Sequence, residues 1–164
     1  MQPPVKLPAG KRMFYGKEIR MRLDGWCWAS FFGRWVVGLI FLMAGWFKVF
    51  NMGAVEHARR LFVEGYADTW IPAWLLWPLG VSIPFVELIG GALVCVGLRV
   101  RESLIAFGGI LVIVTYGHLL KDPFHDISGH IFTRLALVVL VLMIPRERDH
   151  GSLDYWFFYR KNEE

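Results

Sequence analysis

The chain has 164 residues, of which 55% are hydrophobic, 16% aromatic and only 20% charged, and its mean hydropathy is +0.43. A water-soluble domain of this length needs more charge to cover its surface, so the composition excludes an ordinary soluble domain and predicts that a lipid bilayer is part of the solvent. The net charge of +4 comes from short basic clusters between apolar stretches rather than from one basic face, which argues against a nucleic-acid-binding protein.

The chain opens with a polar, basic and proline-bearing stretch, Met1–Arg22, which does not have the pattern of a cleavable signal peptide. We therefore assign residues 1–30 to a cytoplasmic tail and residues 31–144 to an all-α membrane domain, a bundle of four transmembrane helices. The predicted spans are residues 31–50, 74–98, 103–120 and 127–144. Each is an unbroken apolar run without strand alternation, and the first two have the roughly 20 residues that cross a bilayer core.

The second predicted span contains two prolines, Pro78 and Pro84. A proline inside a helix removes a backbone hydrogen bond and clashes with the preceding turn. The sequence therefore predicts a kink in this span or a short separate helix at its start.

Between the first two spans, apolar and charged residues alternate at helical spacing. The apolar residues are Val55, Ala58, Leu61 and Phe62, and the charged ones are Glu56, Arg59, Arg60 and Glu64. This pattern predicts a short amphipathic helix on the outer membrane surface or over the mouth of the bundle. A solvated loop helix with no specific task fits the pattern equally well.

Residues 145–164 form a basic and unusually aromatic C-terminal tail. Its aromatic run is Tyr155, Trp156, Phe157, Phe158 and Tyr159. The run predicts either a docking surface for a larger membrane protein complex or a segment that lies flat in the headgroup layer. Most Lys and Arg residues lie in the two tails and in the loop between the second and third spans, so the positive-inside rule places both termini in the cytoplasm.

Ionisable residues inside the spans are the basis of the functional prediction, because such a group costs about 2.5–3.5 kcal/mol or more at a helix centre and needs a partner. Counted from the cytoplasmic ends of the spans, Lys48, Glu87 and Arg134 lie about 18–21 Å deep, with His118 and His130 about one turn above. We predict that these residues form one cluster with excess positive charge, suited to an anion or to a quinone carbonyl, with histidines that relay protons. A network that only fixes helix register explains the same residues equally well.

Other chemistries have no support in the sequence. His118, His125 and His130 have irregular spacing and do not predict a metal site. Cys27 and Cys95 lie far apart and no C-x-x-C occurs, so neither a disulfide framework nor a redox dithiol is predicted. Phosphate loops, paired catalytic carboxylates and nucleophile arrangements are absent, so we assign no catalytic residue. No haem, flavin or iron–sulfur motif indicates an intrinsic cofactor.

Three motifs extend over most of the chain from residue 31 to residue 155. The first span reads RWVVGLIFLMAGWFK, and it carries Arg34, Gly38, Phe41, Gly45 and Lys48. The second reads ELIGGALVCVGLRVR, which fits the pattern E-x-x-G-G-x-L-x-x-x-G-L-x-x-R from Glu87 to Arg101. The third is G-S-L-D, Gly151–Asp154, after the last span. In order and spacing these motifs resemble the DoxX-like family of small four-helix membrane proteins.

The resemblance implies a multi-pass protein of the prokaryotic cytoplasmic (inner) membrane, and some DoxX-like relatives are subunits of a thiosulfate:quinone oxidoreductase. We therefore expect a non-catalytic accessory or structural subunit of a quinone-linked electron-transfer complex, with a larger complex and membrane lipids as partners and a quinone or lipid as bound ligand. Two alternatives stay open: a stand-alone oxidoreductase for a thiosulfate-like anion and quinone, and a membrane scaffold without a small-molecule site. A transporter has the least support, because no inverted repeat is visible.

Overall fold

In a computed structural model, the chain is helical throughout its regular segments, and the structure describes residues 9–124, 128–145, 149 and 151–158. Side chains are described from residue 25 onward, apart from those of residues 128, 130 and 158. The elements, in chain order, are α1 (Ala9–Trp46), π1 (Phe47–Asn51), α2 (Ala54–His57), π2 (Ala58–Glu64), α3 (Ala73–Val96), α4 (Val100–Lys121), π3 (Ser128–Phe132), α5 (Thr133–Leu142) and α6 (Leu153–Phe158). This confirms the predicted all-α class.

Three helical stretches within the described residues are long and apolar enough to cross a membrane. They are Gly25–Asn51, Ala73–Val96 and Val100–Lys121, which correspond to the first three predicted spans. The apolar helix α5 has only ten residues, which is about half of what a membrane span needs. A fourth span over residues 127–144 therefore stays a prediction.

The helix α1 begins far earlier than the sequence suggested. The predicted tail ended at residue 30, whereas α1 starts at Ala9 and runs without a break into the first span. No proline occurs between Pro8 and Pro72, and the basic stretch is rich in Lys, Arg, Met and Leu, which favour helices. The charged residues of this stretch show where the apolar span begins, but the helix itself begins further toward the N-terminus.

The helices α1 and α3 form the most intimate contact of the fold. A buried stripe at helical spacing runs along each of them. On α1 it comprises Ser30, Arg34, Val37, Phe41 and Gly45, and on α3 it comprises Leu76, Gly80, Ile83, Glu87, Gly90 and Val94. Gly45 lies against the backbone of Leu88, and Gly91 lies against the backbone of Leu42, so a Cβ atom at either glycine would overlap main-chain atoms. Glycines allow this close approach of two helix backbones.

A compact apolar core joins α1 and α3 to α4 and α5. The rings of Phe41 and Phe107 stack with centroids 3.9 Å apart and an angle of 8° between the planes. Gly90 lies beneath the Phe107 ring, and Val138 and Val141 of α5 belong to the same buried cluster. The short helix α5 therefore packs as part of the bundle.

The helix α3 is continuous from Ala73 to Val96 although it contains Pro78 and Pro84. The predicted separate opening helix is therefore not formed, because Pro72 at the N-cap position starts the whole helix. Pro84 has no N–H group to donate to the carbonyl oxygen four residues earlier, which belongs to Gly80. The structure must satisfy this buried carbonyl in another way.

The motif Gly151–Asp154 caps the helix α4. The Asp154 carboxylate accepts hydrogen bonds from the backbone N–H groups of Arg99, at 2.8 Å, and Val100, at 3.0 Å. The backbone N–H of Asp154 donates to the carbonyl of Gly97 at 2.9 Å. A carboxylate at a helix N-terminus satisfies free N–H groups and opposes the helix dipole. The motif thus holds the C-terminal segment on the α3–α4 turn.

Arg34 makes the second attachment of this segment. Its Nη2 donates to the carbonyl of Gly151 at 3.0 Å, and its Nε lies 3.2 Å from Asp149 Oδ2. The Arg34 residue is only 1% exposed. Arg34, which lies near the start of the first predicted span, is therefore a buried link between α1 and the C-terminal segment.

We expect Gly45→Ala to destabilise the protein by about 1–3 kcal/mol, because its methyl group would push α1 away from the Leu88 backbone. Gly109→Ala is the matched control, since nothing lies within 4 Å of a Cβ atom at that position. Alanine favours helix over glycine, so the control should keep or raise the midpoint of thermal unfolding in detergent. Equal midpoints for the two variants would contradict the close contact.

Candidate functional site

Lys48 and Glu87 form an ion pair between the end of the first span and the middle of α3. The Lys48 Nζ lies 2.8 Å from Glu87 Oε1 and 2.6 Å from Oε2, so both carboxylate oxygens accept from it. The Glu87 side chain is 4% exposed and that of Lys48 is 24% exposed. A carboxylate buried to this extent needs a nearby cation and hydrogen bonds to stay charged.

The close contact of α1 and α3 brings the two side chains together. Lys48 follows Gly45 by three residues on the same face, and Glu87 directly precedes Leu88, whose backbone Gly45 touches. Lys48 lies in the wide helical turn π1, where the Met52 N–H donates to the Phe47 carbonyl at 2.9 Å. Turns of this π type are rare and occur often at functional sites, where they change the direction of a side chain.

The other members of the predicted cluster have different positions. Arg134 is half-buried on α5, and the ion pairs between described side chains do not include one between Arg134 and Glu87. His118 lines a cavity that Lys48 also lines. The side chain of His130 lies outside the described part of the chain, as does His125. The structure thus joins Lys48 to Glu87 and places His118 along the same cavity, and a role for Arg134 or His130 stays a prediction.

The cavity lies between α3, α4 and the short helices that precede α3, and it has a volume of about 570 Å³. Its wall is mostly apolar. The apolar lining includes Leu61, Phe62, Ile71, Leu75, Leu76, Leu79, Ile83, Val112, Ile113 and Val114. Polar atoms come from a few residues only, among them Lys48, His57, Tyr66 and His118. A cavity of this size, with apolar walls and few polar groups, is typical of a site for an apolar small molecule.

The segment after π2 covers one side of this cavity and is attached to α4. Lys121 Nζ donates to the carbonyl of Gly65 at 2.6 Å and lies 5.4 Å from the centre of the Tyr66 ring. The Tyr66 hydroxyl packs against Gly117, and a Cβ atom at position 117 would clash with this hydroxyl. These contacts fix Tyr66 at the cavity wall.

His57 is the buried residue that the sequence analysis missed. It is 3% exposed, it lines the cavity, and its Nδ1 lies 2.8 Å from the carbonyl oxygen of Gly80. This is the carbonyl that Pro84 leaves without a helical donor. Ala58, which is fully buried, packs directly on Gly80 and holds the short helix against α3. The sequence signal was present, since a proline inside a buried helix implies an outside donor for the carbonyl four residues earlier.

Burial lowers the pKa of His57 below its ordinary value of 6.5. The hydrogen bond to Gly80 and the negative charge of Glu87 act in the opposite direction, and the positive charge of Lys48 lowers the pKa further. The imidazole is therefore neutral at neutral pH. Because a carbonyl oxygen only accepts, the neutral ring carries its proton on Nδ1 and presents Nε2 as an acceptor.

The predicted amphipathic helix between the first two spans is present as α2 and π2, but its buried face differs from the prediction. His57 and Ala58 are buried, whereas Val55 is 61% and Leu61 48% exposed. On the outer side, Arg59 and Arg60 both pair with Glu56. The hydrogen bond from Arg59 is the main cause that lowers the pKa of Glu56 to about 2, and Arg60 contributes.

The aromatic tail is described in part. Tyr155 is half-buried, and Trp156 and Phe157 in α6 are 55% and 65% exposed. The side chain of Phe158 and the whole of Tyr159 lie outside the described residues. Two of the five predicted docking residues are therefore accessible, and docking itself stays a prediction.

A family model described as methylamine utilisation protein MauE matches residues 27–121. The match covers more than half of the chain, and it contains Lys48, His57, Glu87 and His118 but not Arg134. No curated protein and no solved structure matches the chain.

The resemblance to DoxX-like proteins was therefore wrong, since the matching family model is a different one. The motifs that suggested it consist of glycines at helical spacing, one lysine and one glutamate. In this fold those residues make the close contact of α1 with α3 and the ion pair beside it. Close-packed membrane helices commonly need such residues, so the motifs do not distinguish one family from another.

We expect Lys48→Met to destabilise the protein by about 3–5 kcal/mol, because it leaves the Glu87 carboxylate buried without a cation. Glu87→Gln should cost less, since the Lys48 side chain is more exposed than that of Glu87. The double variant Lys48→Met/Glu87→Gln should be more stable than Lys48→Met alone. Thermal unfolding of the three variants in detergent measures this order, and additive losses would show that the two groups do not interact.

The pH dependence of stability should reveal His57. Its lowered pKa means that the unfolded chain takes up a proton more readily than the folded chain as the pH falls. The stabilisation is complete above about pH 6.5 and is lost as the pH falls below that value. We expect the thermal midpoint to drop between about pH 7 and pH 5, and to drop less in His57→Asn. The same drop in both proteins would assign the effect to other groups.

Proposed function

This chain belongs to the MauE family, and on that premise we propose that it is a membrane accessory protein of a methylamine-utilising electron-transfer system. In this proposal, the protein holds a quinone or a lipid in the cavity beside Lys48 and Glu87. The observation that supports the proposal most is that a large apolar cavity lies beside the Lys48–Glu87 ion pair, which joins the first two spans in the described part of the chain.

The size and lining of the cavity favour a flat apolar molecule. A volume of about 570 Å³ lies within the range of roughly 300–1,000 Å³ that is usual for small-molecule sites. The aromatic side chains of Phe62, Tyr66 and Trp70 line it together with leucines and isoleucines. A quinone ring with part of its tail, or the acyl chain of a lipid, matches such a wall.

The charge at the polar end favours a neutral ligand. Glu87 balances the charge of Lys48, and Arg134 adds no ion pair to Glu87 among the described side chains. The Lys48–Glu87 pair by itself therefore has no excess positive charge that would favour an anion. A polarised carbonyl or hydroxyl oxygen can still accept a hydrogen bond from the Lys48 ammonium. The alternative of a stand-alone oxidoreductase for a thiosulfate-like anion needs a cluster with excess positive charge, and its substrate was suggested by the DoxX resemblance, so we do not propose it.

Ligand entry from the bilayer fits the exposure of the cavity wall. Val112 and Tyr116 of α4 are 66% and 51% exposed, and Trp70 is 73% exposed. Apolar side chains on the outside of a membrane helix face lipid. In this proposal a quinone or lipid enters laterally between these residues, without crossing the aqueous phase.

The proposed arrangement in the membrane keeps both termini in the cytoplasm of a prokaryotic cell, with the segment that contains π3 and α5 as a short fourth span. The basic tails support this orientation through the positive-inside rule. Trp156 and Phe157 then lie on the cytoplasmic side, beside the capped start of α4. They offer an aromatic surface for the redox complex that this protein serves.

A cavity-filling variant tests the ligand site. We expect Leu79→Trp, at the cavity wall, to weaken the binding of a short-tail quinone by about tenfold or more, because the larger ring occupies the ligand's place. Leu39→Trp is the matched control, because Leu39 lies on α1 away from the cavity and is 43% exposed. Isothermal titration calorimetry of the purified protein in detergent gives the two dissociation constants.

Mass spectrometry of lipids extracted from the same preparations distinguishes the two ligand classes. Loss of a copurified phospholipid from Leu79→Trp, but not from Leu39→Trp, would identify a lipid site. Failure of the wild-type protein to bind either class saturably would contradict the proposed function.

A further inference from the structure

We propose that the polar end of the cavity selects the reduced, hydroxyl-bearing form of a quinone, with the hydroxyl donating to His57 Nε2 and its oxygen accepting from Lys48 Nζ. This inference rests on the proposed function and adds the redox form and the two atoms that recognise it. It concerns binding, and it requires no chemical step within this chain.

The contact with Gly80 determines which ring nitrogen of His57 carries the proton. Pro84 removes the helical donor for the carbonyl of Gly80, and His57 Nδ1 lies 2.8 Å from that oxygen. A carbonyl oxygen has no proton to give, so Nδ1 must be the donor. A neutral imidazole with its proton on Nδ1 has a lone pair on Nε2. The proline on α3 thus determines which nitrogen can accept a bond from a ligand.

The surroundings of the His57 ring favour its neutral form. His57 is 3% exposed, and the charged groups that act on it are Lys48 from π1 and Glu87 from α3. Both oxygens of Glu87 are bonded to Lys48, and the positive charge of Lys48 disfavours an imidazolium. From its own segment the ring meets Phe62, with ring centres 5.5 Å apart, and Tyr66 and His118 line the same cavity. Apolar burial therefore keeps the imidazole neutral.

His57 and Lys48 each have capacity for a further hydrogen bond. Within the described part of the chain, no hydrogen bond reaches His57 Nε2, whereas Nδ1 has one. The Lys48 ammonium has three N–H groups, and its described partners are the two oxygens of Glu87. Both residues line the cavity. The wall of the cavity therefore carries one acceptor, His57 Nε2, and one donor, Lys48 Nζ.

A hydroxyl group on an aromatic ring fits this pair, because it donates and accepts at the same oxygen. A quinone has only carbonyl oxygens, which accept from Lys48 but leave Nε2 without a donor. A buried polar atom without its hydrogen bond costs about 1–3 kcal/mol. The hydroquinone should therefore bind about 5- to 150-fold more tightly than the quinone.

Three ligands with the same ring and tail test this inference on the purified wild-type protein: a short-tail hydroquinone, its quinone, and its dimethyl ether. Titrations under argon at about pH 7.5 keep the hydroquinone reduced and His57 neutral. We expect the hydroquinone to bind at least fivefold more tightly than either of the other two. Equal affinity for the three would overturn the inference and leave the proposed function intact. Failure of all three to bind would contradict the proposed function as well.

The variant His57→Asn tests the role of Nε2 independently of the role of Nδ1. Its side-chain amide places a donor where Nδ1 was, so it can keep the bond to Gly80, but it has no acceptor at the position of Nε2. We expect its preference for the hydroquinone to disappear while its affinity for the quinone stays within about twofold. A retained preference for the hydroquinone would overturn the role of Nε2. If this variant does not fold, the three-ligand comparison on the wild-type protein tests the inference by itself.

Acidification provides an independent readout. Protonation of His57 replaces the Nε2 acceptor by a donor, and burial lowers the pKa of this ring below 6.5. The preference for the hydroquinone should therefore stay constant between about pH 8 and pH 6.5 and fall only at lower pH. The dimethyl ether, which has no hydroxyl, should show no such change. A preference that is already lost between about pH 8 and pH 7 would contradict recognition by a neutral, buried His57.

Discussion

The close approach of α1 and α3 is the constraint on which the site depends. Gly45 and Gly91 allow the two backbones to touch, and this places Lys48 beside Glu87. If side chains at these two positions held the helices further apart, the Glu87 carboxylate would lie in an apolar interior without a cation. The protonated form of the carboxylate is favoured in such surroundings. The ion pair therefore depends on the absence of side chains at two positions of the helix contact. It also leaves the polar end of the cavity close to neutral overall, which suits an uncharged ligand.

A second constraint comes from the main chain of α3. Pro84 frees the carbonyl of Gly80, and a helix in an apolar environment cannot leave that group without a donor. His57 supplies the donor from the short helix α2, and Ala58 packs on Gly80 beside it. This contact brings α2 and π2 over the bundle, and the segment that follows them forms the wall of the cavity. A proline in one span thus determines the position, the tautomer and the chemical role of a histidine outside the spans.

Several parts of this arrangement were predictable from sequence. Helical rise along each span brought Lys48 and Glu87 to the same depth, and the structure pairs them. Three spans were evident from apolar runs. A role for the third predicted partner, Arg134, stays a prediction, because depth along a helix says nothing about the direction in which a side chain points. His57 was missed because Pro84 identifies the carbonyl that needs a donor but not the residue that supplies the donor. The start of α1 was missed because a polar helix has no apolar pattern, and the DoxX resemblance failed because packing glycines are common to many membrane helices.

A structure of the purified protein with a bound hydroquinone tests the central claim most directly. The account predicts ligand density in the cavity between α3 and α4, with one ring oxygen within hydrogen-bond distance of both Lys48 Nζ and His57 Nε2, and with the Lys48–Glu87 pair intact. Ligand density on another face of the bundle, with the cavity filled by protein side chains, would contradict it.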